Sequence, residues 1–377
     1  MIPFNKPFTI GKELQYIREA VESGDLSGNG NFTKKCHTFF AHHYSFFNSL
    51  LTTSCTDALE MAALLCDIKE GDEVIVPSYT FVSTANAFVL RGAVIRLIDS
   101  RDDHPGMDED KLDSLINVKT KVIVPVHYGG VACDMDKIMA VGAKYGVRVV
   151  EDAAQAIDSY YTNDKGIVKP LGGIGDLACF SFHETKNVIS GEGGLLVMND
   201  KKFVKRAEIL WEKGTNRSAF YRGEVDKYGW VDVGSSFLPS ELVAAFLYAQ
   251  LEYVQRIQDR RKTIWNQYHS GLRFWADQNG YLLPMIPEYA TNNAHNFYIL
   301  FKNEPERAAM IAKLKMEGVQ AVYHYTCLHQ SAFYRDKHDG RSLPNAERYH
   351  ETLLRLPLYY DLTDEQVSYI IEKITED

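Results

Sequence analysis

Lys186 stands in the run Phe180-Ser181-Phe182-His183-Glu184-Thr185-Lys186 and is followed by Ser190-Gly191-Glu192-Gly193-Gly194. A lysine just past a buried apolar run, with a glycine-rich return behind it, is placed to form a Schiff base with a carbonyl. That chemistry needs a free amine, which partial burial and cationic neighbours supply by lowering the lysine pKa. A second segment is Val149-Val150-Glu151-Asp152-Ala153-Ala154-Gln155. A carboxylate directly after a buried strand is costly unless it meets a positive partner. A protonated pyridine nitrogen is such a partner, and Asp152 beside one would keep the ring an electron sink; an aspartate here is equally a favoured helix N-cap. The third segment, Thr53-Ser54-Cys55-Thr56-Asp57-Ala58-Leu59, reads as the start of a helix rich in small polar residues. Free amides and the helix dipole make such a start a phosphate site.

These groups need a scaffold that brings distant chain segments to one edge. β-branched runs at residues 73–76, 94–98, 122–126, 147–150, 178–182 and 194–198 alternate with helical patterns at 12–23, 56–65, 84–91, 109–116 and 135–145. Strand, helix and strand in series predict a mostly parallel sheet covered on both faces, and the near-continuous apolar strands agree. Ligands of such sheets sit beyond the carboxyl ends of the strands. After Pro239 the pattern changes. One long helix is expected from residue 240 to about 271, then strands at 296–301 and 319–325 and helices at 306–317 and 363–374. The fold class is therefore α/β. Residues 1–245 are read as a large domain with the helix-flanked central sheet, and 246–377 as a smaller C-terminal α/β domain with the connecting long helix.

The 377 residues carry a net charge of -9, which argues against nucleic acid as a partner. The six cysteines form no C-x-x-C pair and imply reduced, mostly buried thiols. His42-His43, His324 and His329 make no recognisable metal set, so no metal is expected. The N-terminal residues lack a signal-peptide pattern and no apolar run reaches membrane-spanning length, so a cytoplasmic location without membrane insertion is expected. Ser27-Gly28-Asn29-Gly30 follows no strand, which rules out a dinucleotide fingerprint.

Taken together, the three segments resemble the fold-type I, pyridoxal-5'-phosphate-dependent aminotransferases that act on nucleotide-linked sugars, the DegT/DnrJ/EryC1/StrS family. The resemblance runs from Ser27-Gly28-Asn29-Gly30, through Pro77-Ser78-Tyr79-Thr80-Phe81, to Leu356-Pro357-Leu358, and is most specific at residues 151–155 and 181–186. It implies pyridoxal phosphate as cofactor, with Lys186 as its covalent anchor and proton shuttle, and Asp152 on the pyridine nitrogen. Gln155 would lie near the phenolic oxygen and Phe81 on the ring face. Thr56, Asp57 and Ser181 would hold the phosphate, Asp57 through its amide because its carboxylate must point away. Ser236, in Gly234-Ser235-Ser236-Phe237-Leu238, stands where the family often has asparagine reaching the neighbouring subunit's phosphate, so a homodimer with shared sites is implied. Asn29, Lys213, Arg217 and Tyr323 are candidate substrate contacts, together with Tyr325 and the run from Arg217 to Tyr221.

The resemblance also implies a sugar-nucleotide substrate and an amino-acid donor, usually L-glutamate. Residues 125–128, 182–187 and 212–218 are similar to members that convert dTDP-4-keto-6-deoxy-D-glucose to dTDP-4-amino-4,6-dideoxy-D-galactose for surface polysaccharide such as enterobacterial common antigen. Amination at C3, or at C4 with an equatorial product, remains open. Two rival functions are a sugar dehydratase on the same scaffold, in which histidine replaces the lysine, and a regulatory homologue without activity. Retention of Lys186, Asp152 and Gln155 argues against both.

Overall fold

The computed structural model describes residues 1–376. Eleven strands occur among them: β1 (Asn48–Thr52), β2 (Glu73–Pro77), β3 (Val94–Ile98), β4 (Thr120–Ile123), β5 (Arg148–Asp152), β6 (Tyr160–Thr162), β7 (Val168–Pro170), β8 (Leu177–Ser181), β9 (Gly194–Met198), β10 (Phe297–Leu300) and β11 (Leu353–Leu356). Seven of them form the central sheet in the order β1-β9-β8-β5-β4-β2-β3. Only β9 runs against the rest, being antiparallel to both β8 and β1. The expected mostly parallel, helix-covered sheet is therefore present. Its inner strands are largely apolar, and layers of buried side chains lie on both faces.

Register decides where the chemistry falls. Asp152 pairs with Cys179 across β5 and β8, and Ser181 pairs with Gly194 across β8 and β9. The carboxyl ends of β5 and β8 thus share one edge of the sheet with the N-terminus of the Cys55–Leu65 helix, which Ser54 caps by accepting from the Asp57 amide. Gly194 is needed there. A Cβ on it would lie 2.4 Å from the Ser54 carbonyl, so only glycine lets β9 start against that cap.

A smaller sheet, β10 paired antiparallel with β11, is packed with the Glu304–Met316, Pro344–Thr352 and Asp364–Thr375 helices. The single long helix expected from residue 240 is in fact two, Glu241–Leu251 and Val254–Asn279. The break at Tyr253 (φ -119°, ψ 16°) involves neither proline nor glycine. It lets the first helix lie on Glu13–Ser23 and Asn31–His43 while the second packs on Asp364–Thr375. Glu252, at the turn, is fixed by Tyr16 at 2.7 Å and Lys12 at 3.3 Å.

The strand expected at 319–325 is also corrected. Val319 makes one bridge to Ile2 and Val322 one to Arg355, and the two residues between them join no ladder. The bridge to Ile2 carries the N-terminal residues onto the small sheet, where the Ile2 amide donates to the Gly318 carbonyl at 2.7 Å. Among the described residues, no helix is long and apolar enough to cross a membrane.

Candidate active site

The sheet edge opens into a cavity of about 540 Å³. Thr56, Phe81, Asp152, Gln155, Ser181 and Lys186 all line it, so six residues singled out in the sequence converge. Lys186 follows β8 by five residues, and its amide closes a turn onto the His183 carbonyl at 2.9 Å. Burial, with a smaller contribution from the Arg355 charge, lowers the Lys186 pKa against the opposing pull of Cys55 and Asp152. A lysine in that state reaches the free amine more readily.

Asp152 ends β5 and is buried. Burial raises its pKa, and hydrogen bonds from the Thr84 hydroxyl (2.6 Å) and the Ala154 amide (3.1 Å) pull it back. Its strand neighbour Glu151 points to the opposite face, as strand alternation requires. Glu151 accepts from the amides of Gly172 (2.7 Å), Ile174 (2.9 Å) and Gly175 (2.6 Å) and pairs with His127 at 3.0 Å. The end of β5 is therefore anchored by one carboxylate while the other faces the cavity.

Gln155 is held at both ends: Oε1 accepts from the Gly129 amide at 2.6 Å and Nε2 donates to the Tyr325 hydroxyl at 2.8 Å. Thr56 Oγ1 is 2.8 Å from Ser83 Oγ. At the first turn of the Cys55–Leu65 helix, the Cys55 and Thr56 amides have no hydrogen-bond partner among the described residues. Phe81 is exposed at the rim, with its ring 6.2 Å from that of Tyr325.

Six sequence candidates lie elsewhere. The Asp57 carboxylate is turned onto the Thr53 hydroxyl, away from the cavity, but its amide, expected for the phosphate, already serves the Ser54 cap. Asn29, Lys213, Arg217 and Ser236 gather in a separate groove of about 1160 Å³. Tyr323, a sixth, is exposed and lies under the Arg307 guanidinium at 5.5 Å, while its neighbours His324 and Tyr325 face the cavity.

Several wall residues were missed by sequence reasoning: Phe4, Asn5, Thr84, His295, His324 and Arg355. His324 stacks on Tyr325 at 3.6 Å, and its Nδ1 is 2.7 Å from the Tyr128 hydroxyl. Burial, then the Arg355 charge, holds its pKa well below the ordinary histidine value. Only the aromatic run Tyr323-His324-Tyr325 offered a signal, and of its two tyrosines, both read as substrate contacts, Tyr325 alone lines the cavity.

A half-buried lysine and a buried carboxylate at neighbouring strand ends, beside a helix start with unspent amides, define an enzyme of the carbonyl-cofactor, amine-transferring class. The chain belongs to the DegT/DnrJ/EryC1/StrS aminotransferase family, whose sequence profile matches residues 8–375. It is 31% identical over 385 residues to the spore coat polysaccharide biosynthesis protein SpsC of Bacillus subtilis, covering 100% of this chain and 96% of that one. Spr1654 of Streptococcus pneumoniae, described as a sugar aminotransferase and solved in its PMP form, superposes with a TM-score of 0.91 at 27% identity, covering 100% and 98% of the two chains. The aminotransferase TlmJ of Streptoalloteichus hindustanus gives 0.89 at 28% identity with the same coverage.

Proposed function

We propose that this aminotransferase uses pyridoxal phosphate to move an amino group from an amino acid to a keto-sugar nucleotide. The observation that carries this reading is the placing of Lys186 and Asp152 in one cavity, each with a pKa shifted by burial. The residues fit the cofactor. Asp152 is a buried carboxylate in want of a cation, Lys186 an amine with no ion-pair partner among the described residues, and the Cys55 and Thr56 amides a vacant anion cradle. Ser181 lines the same cavity as a further phosphate contact.

Bound pyridoxal phosphate supplies an aldehyde that exchanges amines and a ring that withdraws electrons. Lys186 Nζ would anchor it and would carry the proton to and from the substrate carbon. Asp152 would hold a proton on the ring nitrogen, and Thr84 keeps that carboxylate oriented. Gln155 spends its amide protons on Tyr325, which leaves the Tyr325 hydroxyl proton free to be donated into the cavity. His324 and Tyr325 wall the site against water.

The groove holding Asn29, Lys213, Arg217 and Ser236 is read as the part each subunit of a homodimer lends to its partner's site. Arg217 and Lys213 suit a diphosphate, Arg217 through its planar fork. Within this reading the substrate is dTDP-4-keto-6-deoxy-D-glucose, aminated at C4 to dTDP-4-amino-4,6-dideoxy-D-galactose for a surface polysaccharide; SpsC, in spore coat polysaccharide synthesis, supports a polysaccharide role. Borohydride should trap the cofactor on a peptide containing Lys186, and Lys186→Ala should lose turnover. NMR of products from separate 4-keto and 3-keto sugar nucleotides then tests the substrate. Trapping on another lysine sinks the function; an equatorial C4 amine or preferred 3-keto turnover sinks only the substrate.

A further inference from the structure

Residues 293–295 are buried just ahead of β10, and Ala294 among them stands in the left-handed region at φ 52°. A residue with a Cβ enters that region at a cost and stays where its surroundings over-determine it. Here they do. The Ala294 amide donates to Asn292 Oδ1 at 2.8 Å and the His295 amide to Asn293 Oδ1 at 3.0 Å. The buried Arg261 guanidinium donates to the Ala294 and His295 carbonyls at 3.1 and 2.7 Å. The Asn293 carbonyl accepts from Nδ2 of Asn187, the residue after Lys186, at 2.8 Å. Asn293 Nδ2 in turn donates to the carbonyls of Gln155 and Ile157, both at 2.8 Å. One strained turn therefore grips the chain beside Lys186 and the chain at Gln155.

The same bonds fix the tautomer of His295. A main-chain carbonyl can only accept, so the Asn187 amide turns its NH2 to Asn293 and to Gln258 Oε1 at 2.9 Å. Its Oδ1 then faces His295 Nδ1, 2.9 Å away, and that nitrogen must carry the proton. Burial, then the charges of Lys186, Arg261 and Arg355, holds the His295 pKa well below the ordinary histidine value. The ring is therefore neutral, with a bare Nε2, and it lines the cavity without adding a cation to it. Lys186 stands on a loop past β8, so its direction comes from what its chain neighbours touch. A misplacement of about 1 Å at a reacting group can cost about 100-fold in rate.

We propose that His295 is a positioning residue for Lys186: its Nδ1–H, acting through Asn187, fixes the direction in which the lysine leaves its loop. This rests on the aminotransferase reading above. His295 touches no reacting atom in this role, and the strained turn, clamped by Arg261 from the Val254–Asn279 helix, holds the imidazole in place.

The test uses the holoenzyme and two amide replacements. His295→Asn carries an NH2 where Nδ1–H stands, and His295→Gln carries its amide further out, where Nε2 stands. Each is followed by single-turnover reaction with L-glutamate, by the pH at which the resting cofactor absorbance changes, and by thermal unfolding. His295→Gln is expected to slow the saturated single-turnover rate about 10- to 100-fold, with half-saturating glutamate within about threefold of wild type. It should also move the pH of the absorbance change. His295→Asn should rescue the rate to within about threefold and hold that pH, because the bond to Asn187 is kept. Nitrogen NMR of histidine-labelled wild type should show Nδ1 protonated and Nε2 bare between about pH 6 and pH 8, where a free imidazole titrates. Rates that track only the unfolding temperature in both variants overturn the assignment. So does activity kept in His295→Gln and lost in His295→Asn, which would make Nε2 the working atom, and so does a proton found on Nε2. If His295→Gln does not fold, Asn187→Ala breaks the same bond from the other side and is judged by the same measurements. If wild type converts no amino acid, the aminotransferase reading is what fails, and the nitrogen spectrum and cofactor absorbance still judge His295.

Discussion

Thr84, in the first turn of the Val82–Val89 helix, donates its hydroxyl proton to Asp152 Oδ2 at 2.6 Å. The bond ties the helix after β2 to the end of β5 and opposes the rise in the Asp152 pKa that burial causes. Thr84→Val keeps the shape and removes the bond, so the Asp152 pKa should climb further. Catalysis needs the ionised carboxylate, so the acid limb of the kcat profile should move to higher pH while the alkaline limb stays. Asp152→Asn should cut turnover by about 100-fold or more, the scale for losing one preorganised electrostatic group, and cut cofactor retention far less. An acid limb that does not move in Thr84→Val would show the bond to be only structural.

Glu151 works in the opposite sense. Burial alone would raise its pKa, but His127 and the amides of Gly175 and Gly172 outweigh it and hold the pKa below the ordinary glutamate value. As pH falls the unfolded chain therefore takes up this proton first. The stability contributed by Glu151 is full above the unfolded pKa of about 4.3 and drains as pH falls through the folded pKa. Glu151→Gln should lower unfolding free energy at pH 7 by about 2–4 kcal/mol, because a buried pair loses its charge. Denaturant unfolding across pH should show the gap between variant and wild type narrowing below about pH 4. A gap that is constant with pH would mean that packing, not charge, is what Glu151 contributes.

Tyr228, Trp230, Val231 and Val233 are exposed just ahead of the Ser236 segment, Trp230 at 84%. A run of exposed apolar side chains marks an association surface. Sedimentation should give a dimer, and Trp230→Glu should shift it towards monomer with loss of activity. Ser236→Ala should weaken cofactor retention by about 0.5–1.5 kcal/mol while leaving the dimer intact, the loss of one neutral hydrogen bond. A fully active monomer would remove the shared-site reading.

What was legible in the chain follows from distance along it. Asp152 and Gln155 lie three residues apart, Ser181 and Lys186 five apart, and each pair follows an apolar run that could only be a buried strand. The β5–β8 pairing then joins the two pairs without further information. Phe4 and Arg355 had no such context. Phe4 reaches the cavity behind the single bridge between Ile2 and Val319, and Arg355 on the four-residue strand β11, and neither leaves a periodicity to read. The turn at Tyr253 was hidden for a related reason. The residues around it are good helix formers, and tertiary packing of the two helices on different neighbours, with Glu252 tied to Tyr16, overrides local propensity.

The bridge between Ile2 and Val319 also imposes an order on biosynthesis. Phe4 and Asn5 are made more than three hundred residues before Gly318, Gln320 and Asp361, the neighbours that hold this segment. Domains made first generally fold first during translation, but here this segment must wait, unpaired, until those neighbours follow. A nascent chain can assemble the large sheet with Lys186 and Asp152 and still lack one wall of the cavity. Ribosome-bound chains halted before Gly318 would then expose a half-built site, and the reactive amine would be shielded only when β11 and Phe4 meet.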